Sequence, residues 1–233
     1  MPQPRPLALV TGATRGIGAA VAAALADRHD LLIGGRDPVA VADACAGVGP
    51  GTARPFAVDL TDHGALTDAV RGIERLDVLV HSAGVSALGT VAETTVDTWR
   101  RQLEVNVVAV AELTRLLLPA LRAARGHIIM INSGAGIEAR PGWAAYAASK
   151  FALRAFADAL RAEELANGVR VTSVHPGRVD TDMQREVVAQ EGGQYRPERY
   201  LRPRTVAEAV RFAAEAPDDA ALTQLVLRPA GPR

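Results

Sequence analysis

The sequence predicts an α/β fold in which a parallel sheet is covered by helices on both faces. Short apolar runs, typical of buried strands, alternate along the chain with longer segments of helical periodicity. The first of these strands leads into a glycine-rich turn and an alanine-rich helix. Strands that are separated by helices pair in parallel, because the connecting helix crosses over the sheet and buries both of its faces.

The first predicted elements are a strand over residues 7–10, the turn Thr11-Gly-Ala-Thr-Arg-Gly-Ile-Gly18 and a helix. Gly12 allows the tight turn, Gly16 permits close approach of the backbone to a pyrophosphate, and Gly18 lets the helix pack on the strand. The free N–H groups and the positive dipole end of this helix would face the phosphates. The segment therefore predicts the start of a dinucleotide-binding fold.

The remaining predicted strands are residues 31–33, 56–58, 77–80, 127–132, 169–174 and 223–227. A long helix is predicted over residues 96–118, and it is expected to stop at Pro119 because proline lacks an amide donor. Residues 205–208, Thr-Val-Ala-Glu, form a capping box that predicts the start of the last helix.

Length and composition indicate one domain over residues 1–233, with 26 basic and 26 acidic residues in balance. We therefore expect neither a nucleic-acid partner nor an anionic membrane partner. No apolar stretch approaches the roughly 18 residues of a membrane span, and the amino terminus lacks a signal-peptide apolar region. The single Cys45 and the absence of zinc-type spacing predict no metal site and no internal disulfide. A cytoplasmic protein is expected.

A candidate catalytic pair lies in the segment Tyr146-Ala-Ala-Ser-Lys150. The flanking sequence is rich in alanine and helical, so the two side chains lie on one face, one turn apart. A free tyrosine has a pKa of about 10, and a nearby ammonium is expected to lower it. Such a pair can donate and accept a proton at neutral pH. The same spacing also occurs in many helices as a solvated pair.

Ser133 is a second candidate. It follows the predicted strand 127–132 and precedes Tyr146 by 13 residues. A serine at the carboxyl end of a strand, beside a helix start, lies where open α/β sheets bind ligands. The alternative interpretation is a serine that only serves a turn.

Taken in order and spacing, these motifs resemble those of the short-chain dehydrogenase/reductase family, in its compact single-domain form, over nearly the whole chain. The matching residues are Thr11-Gly-x-x-x-Gly-x-Gly18, Asp59, Ala83-Gly84, Asn106, Ser133, Tyr146-x-x-x-Lys150, and Pro176-Gly177 with Thr181. The resemblance implies a doubly wound Rossmann fold with about seven parallel strands. It also implies hydride transfer between a nicotinamide cofactor and a small-molecule carbonyl or alcohol, that is, chemistry at a CH–OH group.

The resemblance assigns roles to four catalytic candidates. Tyr146 is the general acid in carbonyl reduction and the base in alcohol oxidation. Lys150 holds the nicotinamide ribose hydroxyls and lowers the pKa of Tyr146. Ser133 donates a hydrogen bond to the substrate oxygen, where negative charge develops. Asn106 holds a water beside Lys150 and completes a proton relay, unless it only fills a helix kink.

The resemblance also implies the residues that bind the cofactor. Asp59 would meet the adenine edge, and the segment after the sixth strand would orient the carboxamide. The predicted set is Gly12, Thr14, Arg15, Gly16, Ile17, Gly18, Arg36, Asp59, Leu60, Ser82, Ala83, Gly84, Tyr146, Lys150, Pro176, Gly177, Val179 and Thr181.

One departure from the family follows the fourth strand, where His81-Ser-Ala-Gly84 replaces the usual Asn-Asn-Ala-Gly. We expect His81 and Ser82 to hydrogen-bond adjacent loops, with altered stability rather than lost activity. His81, His127 and His175 are interpreted as structural, because no second metal ligand or carboxylate is placed with them.

The end of the second strand, Ile33-Gly-Gly-Arg-Asp37, predicts the cofactor. An acid about 20 residues beyond the glycine turn usually binds the free 2′-hydroxyl of NAD(H). Gly35 takes that position here, and Arg36 and Arg15 can clamp a 2′-phosphate. NADP(H) is therefore favoured, and NAD(H) is the alternative if Asp37 turns inward.

Residues 183–203 are predicted to form a substrate-binding lid, with a hinge at Gly192-Gly193. Its arginines face either an anionic substrate or solvent; they are Arg185, Arg196, Arg199 and Arg202. Segments 85–89 and 137–143 would form the other walls. The helices over 96–118 and around Tyr146 could form a two-fold interface, which predicts a homotetramer or a homodimer.

Two other functions fit the same fold. A nucleotide-binding regulator or scaffold without turnover would typically lose the tyrosine or lysine, and this chain keeps all four catalytic candidates. An epimerase or dehydratase of the same superfamily usually carries a larger carboxyl-terminal substrate domain than 233 residues can supply.

Overall fold

The computed structural model describes residues 5–48, 53–217 and 219–231 and contains a seven-stranded sheet. The strands are β1 (Leu7–Val10), β2 (Asp30–Gly35), β3 (Ala53–Ala57), β4 (Val78–His81), β5 (His127–Ile131), β6 (Arg170–Pro176) and β7 (Gln224–Leu227). Their spatial order is β3-β2-β1-β4-β5-β6-β7, and every neighbouring pair is parallel. The predicted doubly wound Rossmann fold is confirmed.

The α-helices are α1 (Gly16–Leu25), α2 (Pro38–Val48), α3 (His63–Ala69), α4 (Val96–Leu103), α5 (Ala109–Ala124), α6 (Ala144–Glu164), α7 (Asp182–Gln190) and α8 (Pro203–Ala214). A π-helical turn joins α4 to α5, and 3-10 turns lie at Gly134–Gly136, Leu165–Asn167 and Pro197–Arg199. Helices α1, α2 and α8 cover one face of the sheet, and α3, α5 and α6 cover the other. None of the helices in the described part of the chain combines the length and apolar character that crossing a membrane requires.

Each central strand buries side chains on both faces. In β1, Ala8 and Val10 pack toward α1 and α8, whereas Leu9 packs toward α5 and α6. The chain reverses its direction of winding between β1 and β4, which are neighbours in space. This reversal opens a crevice at the carboxyl ends of the strands, where ligands bind in such sheets.

The predicted helix end at Pro119 is wrong. Pro119 lies inside α5, and the helix ends only where Arg125 adopts a left-handed φ of 51°. The missing amide costs about 3 kcal/mol in a helix interior. Pro119 is exposed, but Leu117 and Leu121 on either side of it are fully buried, and each contributes about 1.5–3 kcal/mol. Core packing therefore outweighs the local penalty.

The predicted capping box is also wrong. Helix α8 begins two residues earlier, at Pro203, with Arg202 as its N-cap. Thr205 already lies in the first turn, where its amide donates to the Arg202 carbonyl at 2.9 Å. Proline at the first helical position has its φ already set for a helix and no amide to leave unpaired, so it fixes this start.

His81 is fully buried, and its Nε2 lies 2.9 Å from Thr114 Oγ1 on α5. The Thr114 hydroxyl donates its proton to the Val110 carbonyl at 2.8 Å, so His81 must be the donor through Nε2–H. The expected bonds from His81 to adjacent loops are therefore wrong, because the ring points into the core. Burial lowers the pKa of His81 to about 3.

We predict that His81→Asn reduces the acid sensitivity of the fold. Between pH 6.5 and about 3 the unfolded state binds a proton that the folded His81 does not, so the stability that this group contributes is lost as pH falls. The free energy of unfolding should drop by about 2 kcal/mol more in the parent than in the variant between pH 6.5 and 5. Urea unfolding at both pH values measures this, and equal losses in both proteins would contradict it. Buried His127 also has a pKa of about 3, but it is present in both proteins and cancels.

Candidate active site

The carboxyl ends of the central strands open into a cavity of about 580 Å³. Its size is typical of small-molecule sites. The sequence-predicted site residues line this cavity, with the exception of Asn106. Residues as far apart in the chain as Gly12 and Thr181 therefore meet at one edge of the sheet.

The glycine turn between β1 and α1 has the backbone geometry that its residues predict. Gly12 has a φ of 62°, and a Cβ on it would lie 2.8 Å from the Ala83 Cα. A Cβ on Gly18 would lie 2.2 Å from the Gly12 carbonyl oxygen. The N-cap residue Arg15 makes no side-chain capping bond to α1, which leaves the amides of the first turn available to a ligand.

Tyr146 and Lys150 lie on one face of α6, and both are buried. The Lys150 Nζ is 5.9 Å from the centroid of the Tyr146 ring. Ser133, which follows β5, lines the same cavity as Tyr146 and lies near enough to affect the pKa of its phenol. The Ser133 Oγ also accepts a hydrogen bond from the Ala135 amide at 3.1 Å. The three predicted groups therefore form one cluster at the cavity wall.

Burial dominates the ionisation of this cluster. It raises the pKa of Tyr146, and the nearby Ser133 hydroxyl offsets only part of that rise. It lowers the pKa of Lys150 to about 8, because a buried site disfavours the ammonium. Burial therefore outweighs any lowering of the Tyr146 pKa by Lys150, whose ammonium donates to the Ile131 carbonyl at 3.2 Å. That Lys150 lowers this pKa stays a prediction.

Asn106 lies behind the cavity wall, in the π-helical turn Glu104–Val108. Its Oδ1 accepts from the Val85 amide at 3.0 Å, and its Nδ2 donates to the Val85 carbonyl at 2.9 Å and to Ser149 Oγ at 3.0 Å. A Cβ on Gly84 would meet Asn106 Oδ1 at 3.2 Å and Lys150 Nζ at 3.8 Å. Asn106 thus ties the loop after β4 to α6, close to the lysine.

The end of β2 holds no inward-facing acid. A Cβ on Gly35 would lie 2.6 Å from Val41 and 2.8 Å from Thr14, so a larger residue does not fit there. Asp37 is exposed, and its Oδ1 accepts from the Val39 amide at 2.9 Å, which places it at the start of α2 as predicted. Arg36 lines the cavity and, among the described residues, has no carboxylate within 4 Å.

Arg15 and Asp59 also line the cavity. The Arg15 guanidinium lies 3.5 Å from the Asp182 carboxylate at the exposed surface. The Asp59 Oδ1 accepts from the amide and the hydroxyl of Thr61, at 2.9 and 2.8 Å. The Thr61 amide is the main reason that the pKa of Asp59 is lowered, and Arg36 adds to the effect.

The opposite end of the cavity is formed by the segment after β6, α7 and the segment that follows it. Of the four arginines predicted in the lid, only Arg199 lines the cavity. Trp143, from the predicted 137–143 wall, packs edge-on against Tyr146 with ring centroids 5.9 Å apart. No cluster of histidine, cysteine or acidic residues in the described ranges could hold a metal ion.

Arg178 and Arg228 are among the cavity residues that were not predicted. Arg178 directly follows the Pro176-Gly177 motif, and this position in the sequence could have predicted that it lies at the cavity. Arg228 follows β7, and no local pattern marks it. Only the pairing of β7 with β6 brings it to the site.

The comparisons with known proteins agree with this geometry. The model of the short chain dehydrogenase family matches residues 6–192. An uncharacterized short-chain type dehydrogenase/reductase of Sinorhizobium fredii is 34% identical over 233 residues, which cover 97% of this chain and 92% of that protein.

Two solved structures have the same fold. An alcohol dehydrogenase from the archaeon Thermococcus sibiricus, complexed with 5-hydroxy-NADP, has a TM-score of 0.87 and 26% identity, with 98% of each chain covered. A metagenomic short-chain oxidoreductase in complex with NADP has a TM-score of 0.82 and 30% identity, with 97% of each chain covered. The fold, the family match and the clustered motifs lead to one conclusion: the chain belongs to the short-chain dehydrogenase/reductase family of oxidoreductases.

Proposed function

We propose that the protein transfers hydride between NADP(H) and a small carbonyl or alcohol, reducing a ketone or aldehyde or oxidising a secondary alcohol. The observation that carries this proposal is the buried Tyr146, one helical turn from Lys150 and lining the same large cavity as Ser133. No observation favours a non-catalytic role, since all four catalytic candidates are present.

The residues around the cavity fit a nicotinamide dinucleotide. Gly12 and Gly18 leave no room for side chains, and the first-turn amides of α1 are uncapped, as a pyrophosphate site requires. Both relatives named above with a bound ligand hold NADP or 5-hydroxy-NADP. When bound, the nicotinamide would supply or accept the hydride, and Pro176, Gly177, Val179 and Thr181 would orient its carboxamide.

The side chains then handle the proton. A buried Tyr146 with a raised pKa stays protonated at neutral pH, which suits it to donate its proton to a substrate oxygen in reduction. Ser133 would donate a hydrogen bond to the same oxygen as negative charge develops. Lys150 would hold the ribose hydroxyls, and Asn106 would support a water beside it that reconnects Tyr146 to solvent.

The substrate would enter beneath a lid over residues 183–203. In this segment Met183, Val187 and Arg199 line the cavity. The segment is tied down at its far end, where the Leu201 amide donates to the Arg178 carbonyl at 2.9 Å, and at its middle, where Tyr195 hydrogen-bonds Asp180. A lid that closes would exclude water from the hydride transfer.

We predict that Tyr146→Phe retains NADPH binding and loses turnover by roughly 10²–10⁴-fold, because it deletes only the proton donor. A panel of ketones and aldehydes followed by NADPH absorbance measures turnover, and NADPH fluorescence measures binding. Near-normal activity in this variant would refute the assigned role of Tyr146. Loss of binding together with turnover would point to a collapsed cavity instead.

The proposed preference for NADP(H) rests on Arg36 and on the steric exclusion of an acid at Gly35. We predict that Arg36→Asp weakens NADPH binding at least about tenfold, or roughly 1.4 kcal/mol, and spares or improves NADH binding. Arg54→Asp on the exposed, neighbouring β3 is the matched control and should change neither affinity. Equal or better NADH efficiency in the parent would show that Arg36 does not set the preference.

We propose that the protein is a homo-oligomer, a tetramer or a dimer. Large apolar side chains are exposed on α4, on the π-helical turn that joins it to α5 and on α6, among them Val108 of the turn at 42% exposure and Phe151 of α6 at 40%. Such a face is expected to be covered by a second copy in a two-fold assembly.

Light scattering at micromolar concentration should therefore give a tetramer or dimer mass. We predict that Val108→Arg lowers this mass, because it would place a charge in the proposed interface. Val39→Arg, at an exposed valine on α2, is the matched control and should leave the mass unchanged. A monomer mass for the parent protein would contradict the proposal.

A further inference from the structure

We infer that the substrate carries a carboxylate close to its reacting carbonyl and that Arg228 binds this carboxylate. The inference rests on the proposed function and narrows its substrate class to 2-oxo or 3-oxo acids and the corresponding hydroxy acids. It is carried by the way in which the Arg228 guanidinium is held, by its position beside Ser133 and by the charges around it.

The guanidinium is fixed through one of its nitrogens only. Nη1 donates to the carbonyl of His175 at 2.9 Å and to that of Leu227 at 3.0 Å. Within the described ranges, Nε and Nη2 have no protein acceptor, so the edge of the fork that they form is left available. This edge is suited to bind the two oxygens of a carboxylate side by side. Because the backbone carbonyls already hold the side chain, little further rotamer freedom is lost on binding.

The guanidinium also lies beside the reacting groups. A Cβ on Gly134 would meet Arg228 Nη2 at 3.3 Å and Cζ at 3.4 Å. Gly134 directly follows Ser133, and consecutive Cα atoms are about 3.8 Å apart. Arg228 lines the same cavity as Ser133 and Tyr146. An anion on the free edge would therefore share this cavity with a carbonyl bound at Ser133, and we place the carboxylate one or two carbons from that carbonyl.

The charged side chains near Arg228 are paired with other residues and do not form an ion pair with it. Arg178 is paired with Glu191 at 2.6 Å, and Glu138, the acid on this side of the cavity, lies 3.8 Å from Arg140. Among the residues that the structure describes, no carboxylate lies within 4 Å of Arg228. Arg228 is exposed, so water can hydrate its free edge until a ligand binds. A substrate carboxylate would replace that water with charge-assisted hydrogen bonds.

A purely structural role is the alternative, in which Arg228 only ties the end of β7 to the end of β6. The two bonds from Nη1 would satisfy that role, and the free edge of this exposed arginine would then face only water. The two interpretations predict different effects of a neutral side chain at this position. If Arg228 binds the substrate, selectivity for the acid is lost; if its role is structural, the activity on every substrate falls.

The test compares NADPH-dependent reduction of 2-oxo and 3-oxo acids with that of their methyl esters. The parent protein should prefer an acid by about tenfold or more in kcat/KM, and Arg228→Gln should abolish this preference mainly through KM. Arg228→Lys keeps the charge and should retain part of the preference. Arg204→Gln, at an exposed arginine on α8, should leave the preference unchanged. Melting temperatures show whether each variant is folded.

A parent protein that reduces esters as well as acids would overturn the inference and leave the proposed function standing. Equal losses for acids and esters in Arg228→Gln would assign Arg228 the structural role. Binding can also be measured without turnover. Calorimetry would compare the affinity of malonate for the complex of the protein with NADP⁺ with that of malonamide, the uncharged control. Malonate should bind at least about tenfold more tightly, and equal binding of the two would also overturn the inference.

Discussion

The hydrogen bond from Lys150 Nζ to the Ile131 carbonyl joins the helix that carries Tyr146 to the strand that delivers Ser133. Asn132 strengthens the same junction by donating to the Lys150 carbonyl at 3.2 Å. An ammonium in this position is costly, because burial lowers its pKa to about 8. The site thus holds a lysine whose charge is only moderately stable, next to a phenol that burial keeps protonated. A protonated phenol beside a lysine that can gain or lose its charge near neutral pH suits a site that donates a proton to its substrate.

The parallel sheet supplies the rest of the site. Because its strands all run the same way, their carboxyl ends bring together a glycine turn, a serine and an arginine from β1, β5 and β7. Close packing then fixes the spacing, since Gly12 contacts Ala83 where no Cβ fits. The Asn106 side chain joins the loop after β4 to α6 through Val85 and Ser149. Close backbone packing and the Asn106 side chain therefore fix the positions of the site elements, and the side chains of the cavity wall are left to determine substrate specificity.

Much of the fold could be predicted from local pattern. The buried strands are apolar runs in the sequence. Backbone geometry explains the glycines of the turn, and helix geometry explains why Tyr146 and Lys150 lie on one face. Predictions failed where tertiary packing overrode a local rule, as at Pro119, which core contacts hold inside α5. The raised pKa of Tyr146 could not be predicted, because it depends on burial by distant segments. Arg228 was missed for the same reason, since only the pairing of β7 with β6 brings it beside Gly134.

The central claim is that NADPH bound in this cavity transfers a hydride to a carbonyl carbon while Tyr146 donates the proton. Its most direct test uses NADPH deuterated at the transferable position of the nicotinamide, a panel of carbonyl compounds that includes 2-oxo and 3-oxo acids, and mass spectrometry of the products. The account predicts an alcohol that carries one deuterium on the former carbonyl carbon. Bound NADPH that no carbonyl compound oxidises, or a product without deuterium, would contradict it.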